Sequence, residues 1–270
     1  MKTIARVFPR RTNMSPTDPD VYFGPPELFM SEYKEVHVSV AFTWDIGYAE
    51  TLAKQWDHIA PVKIGGPAID GEGNGFIPGR YVKHGMTITS RGCPNRCSYC
   101  MVKSPLKELK IHPGNNILDN NILACSKGHL DKVFSMLKGQ KKIKFTGGLE
   151  ARRITEKIAE QIRGLNLRQL WIAYDHPANL KVVKKAMSIL TKYFSRDSIG
   201  CYCLIGQPGD IMDSALGRLE QIVDLGAFPF AMLYRGMDGK YPEPGMAWRK
   251  LQKMWTRPAY IRARIKGRIK

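Results

Sequence analysis

The chain has 270 residues, 43% hydrophobic and 24% charged, a composition that supports a packed core and excludes a wholly disordered polymer. Lysine and arginine outnumber aspartate and glutamate 42 to 24, so the formal charge is +18, far enough from neutral to favour a polyanionic partner, nucleic acid first, through phosphate contacts and counterion release, with a basic surface kept only for solubility as the alternative. The longest apolar run, 228–234, is too short to span a bilayer, and the start Met1-Lys2-Thr3-Ile4-Ala5-Arg6 lacks the apolar centre of a secretory signal. A reducing cytoplasm and no membrane contact are therefore expected.

In chain order, residues 36–42 read as a strand, 46–58 as a helix and 61–64 as a second strand running into Gly65-Gly66-Pro67, which makes one β-α-β unit. The stretch 69–80, with Gly71, Gly73, Gly75, Pro78 and Gly79, resists regular structure and reads as a linker or a loop over a site, which places a boundary after residue 80. Beyond it, candidate strands follow at 87–90, 116–118, 143–146, 170–174, 199–205 and 229–234, most of them separated by helical segments. Ile154, Ile158 and Ile162 recur at helical spacing within 151–163; Leu180, Val183, Met187 and Leu190 line the next helix, and Ala215, Leu219, Ile222 and Val223 the last. Strands alternating with amphipathic helices imply an α/β fold with a parallel sheet. Six such units suggest a partial (β/α)6 barrel over 81–240 behind a small N-terminal α/β unit at 1–80, with ligands at the carboxyl ends of the strands.

The tail, 241–270, differs in kind: Arg249, Lys250, Lys253, Arg257, Arg262, Arg264, Lys266, Arg268 and Lys270 occur with no acidic residue after Glu243. Trp248, Trp255 and Tyr260 are interleaved with them. Either this surface grips phosphates and stacks bases, with Arg249 through Arg264 as nucleic-acid contacts, or the aromatics pack the tail onto the barrel and the cations are merely solvated. Pro9, Arg10 and Arg11 could add to a basic rim.

Three of the six cysteines fall in Arg91-Gly92-Cys93-Pro94-Asn95-Arg96-Cys97-Ser98-Tyr99-Cys100, a C-x3-C-x2-C loop after the first barrel strand. Clustered thiols in a reducing compartment point to metal rather than disulfides. Structural zinc and most electron-transfer clusters take four protein ligands, whereas three leave one iron open to bind a small molecule. A zinc site completed by Cys125 or a histidine is the competing reading; Cys125, Cys201 and Cys203 lie in apolar surroundings and read as packed thiols.

This loop, with the aromatic Tyr99 before its last cysteine, resembles that of the radical S-adenosylmethionine superfamily, and the resemblance covers about residues 86–234. It implies a 4Fe-4S cluster on Cys93, Cys97 and Cys100 whose open iron chelates the methionine moiety of S-adenosyl-L-methionine. An external electron donor reduces the cluster, and cleavage of the sulfonium gives methionine and a 5'-deoxyadenosyl radical that removes a substrate hydrogen. The superfamily often carries Gly-Gly-Glu after its second strand. Here the second strand ends at Asp119-Asn120-Asn121, and a glycine pair follows the third, in Thr146-Gly147-Gly148-Leu149-Glu150, with its carboxylate one place late. Asn120, Asn121 and the segment from Thr146 to Glu150 are thus candidate cofactor contacts. Tyr174-Asp175 is expected near the ribose and Ile205-Gly206 near adenine, each with ordinary turn chemistry as its alternative.

The N-terminal unit is similar to a trimmed form of the domain that precedes the barrel in cobalamin-dependent members, but lacks the Asp-x-His-x-x-Gly loop, so cobalamin is not expected; the unit caps the barrel or helps bind substrate. The whole chain resembles compact radical enzymes of bacteriophages and mobile elements, some of which serve thymidine hypermodification in viral DNA. That resemblance implies an isomerase that moves the attachment of a glycine from its nitrogen to its α-carbon on a modified thymidine, in the host cytoplasm if the chain is viral. Repair of a thymine lesion, modification of transfer RNA and a small-molecule or peptide substrate are the other enzyme readings, and a zinc-stabilised DNA-binding module without catalysis is the reading from another class. No catalytic residue is singled out.

Overall fold

The computed structural model describes residues 2–30, 32–71 and 75–267; Gly73, Arg268 and Lys270 of the sequence reading lie outside them. The chain forms two compact units. One runs through Met86 and includes Met237–Gly239; the other comprises Thr87–Gly236 and the chain from Lys240 on.

The first unit is a four-stranded parallel sheet in the order β2-β1-β3-β4, built from β1 (Lys2–Phe8), β2 (Val21–Phe23), β3 (Tyr33–Ser39) and β4 (Val62–Gly65), with α1 (Ile46–Trp56) between β3 and β4. The expected β-α-β unit is thus present, but two further strands precede it and the first expected strand stops short of Phe42. Alternation in β1 buries Ala5 and Val7 against Val36, Val38, Leu52 and Trp56, whose indole Nε1 donates to the Gly24 carbonyl at 3.0 Å. The start, for which the sequence suggests no element, is therefore a strand from Lys2 on. The Arg6 guanidinium donates to the carbonyls of Gly79 and Arg80, both at 3.2 Å, and Tyr81 meets His37 at 2.6 Å. The end of the glycine-rich stretch belongs to this unit, and the boundary falls after Met86 rather than after residue 80.

The second unit holds a six-stranded sheet of β5 (Met86–Thr87), β8 (Asn116–Ile117), β9 (Ile143–Phe145), β10 (Leu167–Ala173), β11 (Ile199–Ile205) and β12 (Phe228–Leu233), all neighbours in chain order with β5 and β12 at the edges. Between β5 and β8, β6 (Ser90–Arg91) and β7 (Lys107–Glu108) form a short antiparallel ribbon that carries the cysteine loop. The expected first strand is thereby broken after Thr87. Pairings from β8 to β12 are parallel. The crossovers are α2 (Lys127–Lys138), α3 (Glu156–Arg163), α4 (Leu180–Tyr193) and α5 (Met212–Asp224). Ser126 and Thr155 cap α2 and α3 through side-chain oxygens that accept from His129 N and Ile158 N.

One apolar core unites these helices with one face of the sheet: Leu170, Ile172, Cys201, Cys203, Ile205 and Ala231 point into it by strand alternation. The tail continues as α6 (Gly245–Trp255) and α7 (Pro258–Ile265), whose Trp248, Leu251, Trp255 and Ile261 join the same core. Among the described residues no helix is long and apolar enough to cross a membrane.

Candidate functional site

In a parallel sheet every strand delivers its following loop to the same edge, and here that edge gathers the cysteine loop and the segments after β8 to β12. Asp119, Asn120 and Asn121, the residues that leave β8, each hold one step of the chain entering the cysteine loop. The Asp119 carboxylate, 1% exposed, accepts from Thr89 N and Thr89 Oγ1, both at 2.7 Å, and from Ser90 Oγ at 2.6 Å. Asn120 Oδ1 accepts from Gly92 N at 3.0 Å, and Asn121 Nδ2 donates to Cys93 Sγ at 3.3 Å. Burial pushes the Asp119 carboxyl above its ordinary range, against the pull of those donors.

Asn121 Nδ2 also donates to Glu150 Oε2 at 2.8 Å, and Asn95, inside the cysteine loop, bonds the same carboxylate. Burial works to raise the Glu150 carboxyl, but the bonds from Asn121, Asn95 and Arg153 prevail and hold it below the usual carboxylate range. The carboxylate that stands one place late in sequence still reaches the loop because Leu149 turns inward, 3% exposed, with its N–H on the Trp171 carbonyl at 2.7 Å. Gly147 is required here: a Cβ at that position would stand 2.2 Å from the Asp119 carbonyl oxygen. Gly148 takes a left-handed turn, and Thr146 is engaged through its hydroxyl on Asn116 Oδ1 at 2.7 Å and its carbonyl under the Tyr202 hydroxyl at 3.0 Å.

Cys93, Cys97 and Cys100 are all partly exposed. Burial raises the Cys100 thiol, the neighbouring Cys97 and Cys93 add to the shift, and the Val102 N–H and the Lys103 cation oppose it. Tyr99 is raised by burial first and then by Asp175 and Cys97, whose sulfur its hydroxyl meets. Among the described residues no set of three or more histidine, cysteine or acidic side chains is gathered so as to hold a metal ion, and this applies to the three thiols alone and to a set completed by Cys125. The support for an iron-sulfur cluster there lies in the donor chemistry and not in the placement of the sulfurs: three thiols on one loop within reach of one another's charge, with N–H groups of Asn121 and Val102 directed at two of the sulfurs. Cys125 is buried, its thiol raised to about 11 by desolvation, while Cys201 and Cys203 lie in the core.

Two other expected contacts are not brought to this edge as cofactor groups. Tyr174 is 1% exposed and donates to Gln221 Oε1 of α5 at 2.8 Å, which commits its hydroxyl to the helix layer. Ile205 is core, and a Cβ on Gly206 would meet Pro242 at 2.6 Å and Trp248 at 3.2 Å, so the close approach that glycine permits is to the tail. Asp175, by contrast, stays at the edge: its carboxylate accepts from Leu204 N at 2.8 Å, its charge reaches Tyr99, and burial raises its carboxyl.

In the tail, Trp248 and Trp255 are buried and Tyr260 packs edge-on against Trp255 at 5.6 Å, so the tryptophans anchor the segment and do not present faces to bases. Arg249, Lys250, Lys253, Arg257 and Arg262 are exposed, whereas Arg264 is partly buried, paired with Glu220 and set over Trp255. Sequence reading places Asp119 at the end of the second strand without its clasp on Thr89 and Ser90, and it misses the roles of Asn95 and of the aromatic residues of β10 to β12.

A scan against protein-family models finds no match, and a search of curated proteins finds none either.

Proposed function

We propose that the chain is a radical S-adenosylmethionine enzyme acting on a base within DNA, built on a partial barrel of that superfamily's type. The observation that carries this reading is the union, at one sheet edge, of the C-x3-C-x2-C loop with the ends of the next two strands through Asn121 and Glu150. Cys93, Cys97 and Cys100 would hold a 4Fe-4S cluster. Bound there, with an external donor, it supplies the electron that cleaves S-adenosyl-L-methionine to methionine and a 5'-deoxyadenosyl radical.

The residues around it have their own tasks. Asn121 directs an N–H at the Cys93 sulfur and holds it in place, and Glu150, kept ionised by Asn121, Asn95 and Arg153, offers an anionic oxygen to the amino group of the methionine moiety. Asp119 fixes the approach of the loop. Among substrates, a glycine-modified thymidine suits the chemistry, because removing hydrogen from the glycine α-carbon gives a stabilised radical, and the reaction in that case is an isomerisation.

Anaerobic reconstitution with iron and sulfide should give about four irons per chain, a visible cluster band and, with dithionite, 5'-deoxyadenosine. Stoichiometric zinc with no cluster band overturns the reading in favour of a zinc-stabilised DNA-binding module.

For DNA, the exposed cations of α6 and the residue just beyond it form the test. Cutting the tail away would strip Trp248, Trp255 and Ile261 from the core, so charge is removed instead. Replacing Arg249, Lys250, Lys253 and Arg257 together by glutamine should leave the thermal unfolding transition in place. The logarithmic salt slope of duplex DNA binding should become shallower by about 3. An unchanged slope removes the assignment of these four residues.

A further inference from the structure

The helices cover one face of the six-stranded sheet, and the other face carries a wall of aromatic rings in the middle of β10, β11 and β12. Trp171 and Tyr202 are stacked, with centroids 4.3 Å apart and planes 13° from parallel, and Phe230 stands edge-on to both at 6.0 and 6.1 Å. Gly200, the register partner of Trp171, leaves the space: a Cβ there would lie 2.3 Å from the indole ring. The Tyr202 hydroxyl donates to the Thr146 carbonyl, one residue before the glycine pair, so the wall rises toward the edge that holds the cysteine loop.

The wall is not closed over. Phe230 is 36% exposed and Met232, two residues on along β12, 44%. Large apolar side chains alternating with core residues on a strand, yet open to water, are not explained by packing. Trp171 Nε1 is buried without a hydrogen-bond partner, as is Trp255 Nε1 in the core. Lys144 on β9 pairs in register with Gln169, two residues before Trp171, which sets it on the same face of the sheet in a chain already at +18.

We infer that this face is a stacking site for a nucleobase of single-stranded or locally opened DNA, with Phe230 as its exposed ring, the Trp171–Tyr202 pair as its floor and Lys144 as a phosphate contact. Aromatic faces joined to cations take bases of any sequence by stacking; in the tail the tryptophans are buried and the exposed ring, Tyr241, lies under the guanidinium groups of Arg235 and Arg249. The inference deepens the DNA reading by naming where the base lies; it requires neither the cluster nor S-adenosylmethionine, and its test uses neither.

The test measures binding of a fluorescein-labelled oligothymidylate of about ten nucleotides to the full chain by anisotropy, a length within the usual span of single-strand sites. Phe230→Ala should weaken binding about tenfold, and Lys144→Gln should flatten the salt dependence by less than one unit of slope. Phe29→Ala, which removes a ring 90% exposed on the N-terminal unit, serves as the control with unchanged affinity. Photocrosslinking of the same oligonucleotide carrying 5-iododeoxyuridine should place the adduct on β10 to β12. The inference is overturned if Phe230→Ala and Phe29→Ala bind alike, or if the crosslinks fall on α6 alone. Retained wall-dependent binding in a chain that forms no cluster would sink the radical reading and leave this one standing.

Discussion

Alanine at Cys93, Cys97 or Cys100 is expected to abolish cluster assembly and S-adenosylmethionine cleavage altogether, while Cys125→Ala retains both. Each of the three thiols is partly exposed on a loop outside the core, so its loss should leave the circular dichroism and thermal transition of the chain unchanged. A cluster left with two protein ligands is released rather than weakened, which makes the expected effect all-or-none. Cys125 is buried, 8% exposed, against Ser90, and desolvation raises its thiol to about 11. Its truncation removes a small packed group, at a cost of about 1 kcal/mol. Iron and sulfide content, the visible band and 5'-deoxyadenosine yield are the measurements; loss of iron in the Cys125 variant would make Cys125 a fourth ligand and remove the open iron on which the radical reading depends.

The second large effect is on stability. Asp119→Ala leaves three donors, Thr89 N, Thr89 Oγ1 and Ser90 Oγ, in a buried place without their acceptor, and should cost about 3–5 kcal/mol in denaturant unfolding together with most of the cluster yield. Asp119→Asn keeps one acceptor oxygen and should cost about 1–2 kcal/mol at neutral pH.

Its pH dependence has a definite sign. Desolvation raises the folded-state carboxyl, so the unfolded chain gives up this proton first. As pH climbs from near 4 through the raised folded value, the parent loses stability relative to the asparagine variant. The advantage of the parent over Asp119→Asn should therefore be greatest at the acid end of that window and narrow above it. A gap that widens with rising pH would mean that the donors outweigh burial and that the carboxyl is lowered.

Much of the second unit was legible because the relevant signals are local. Helical spacing in 180–190 and the apolar runs at 199–205 and 229–234 mark elements whose partners lie next to them in chain order, and the consecutive strand order follows from a single kind of crossover. The N-terminal unit was less legible: β1 mixes Lys2 and Arg6 with Ala5 and Val7, so its charges conceal the alternation that buries it. Glu150 meets Asn121 beside the cysteine loop despite its late position, whereas Tyr174 and Gly206 face the helix layer and the tail.

The sequence by itself determined an alternating α/β chain, a strongly cationic surface and three thiols at a spacing suited to metal, because composition, periodicity and short-range spacing survive without tertiary contacts. Only the tertiary structure decided that Asp119, Asn120 and Asn121 clasp the entry to the cysteine loop, that the tail tryptophans are core while Lys250, Lys253 and Lys266 face water, and that Trp171, Tyr202 and Phe230 meet on the open face of the sheet. Each of these joins residues tens of positions apart. Which side chain a strand end meets is fixed by sheet register and helix packing, and neither is written in the spacing of one segment.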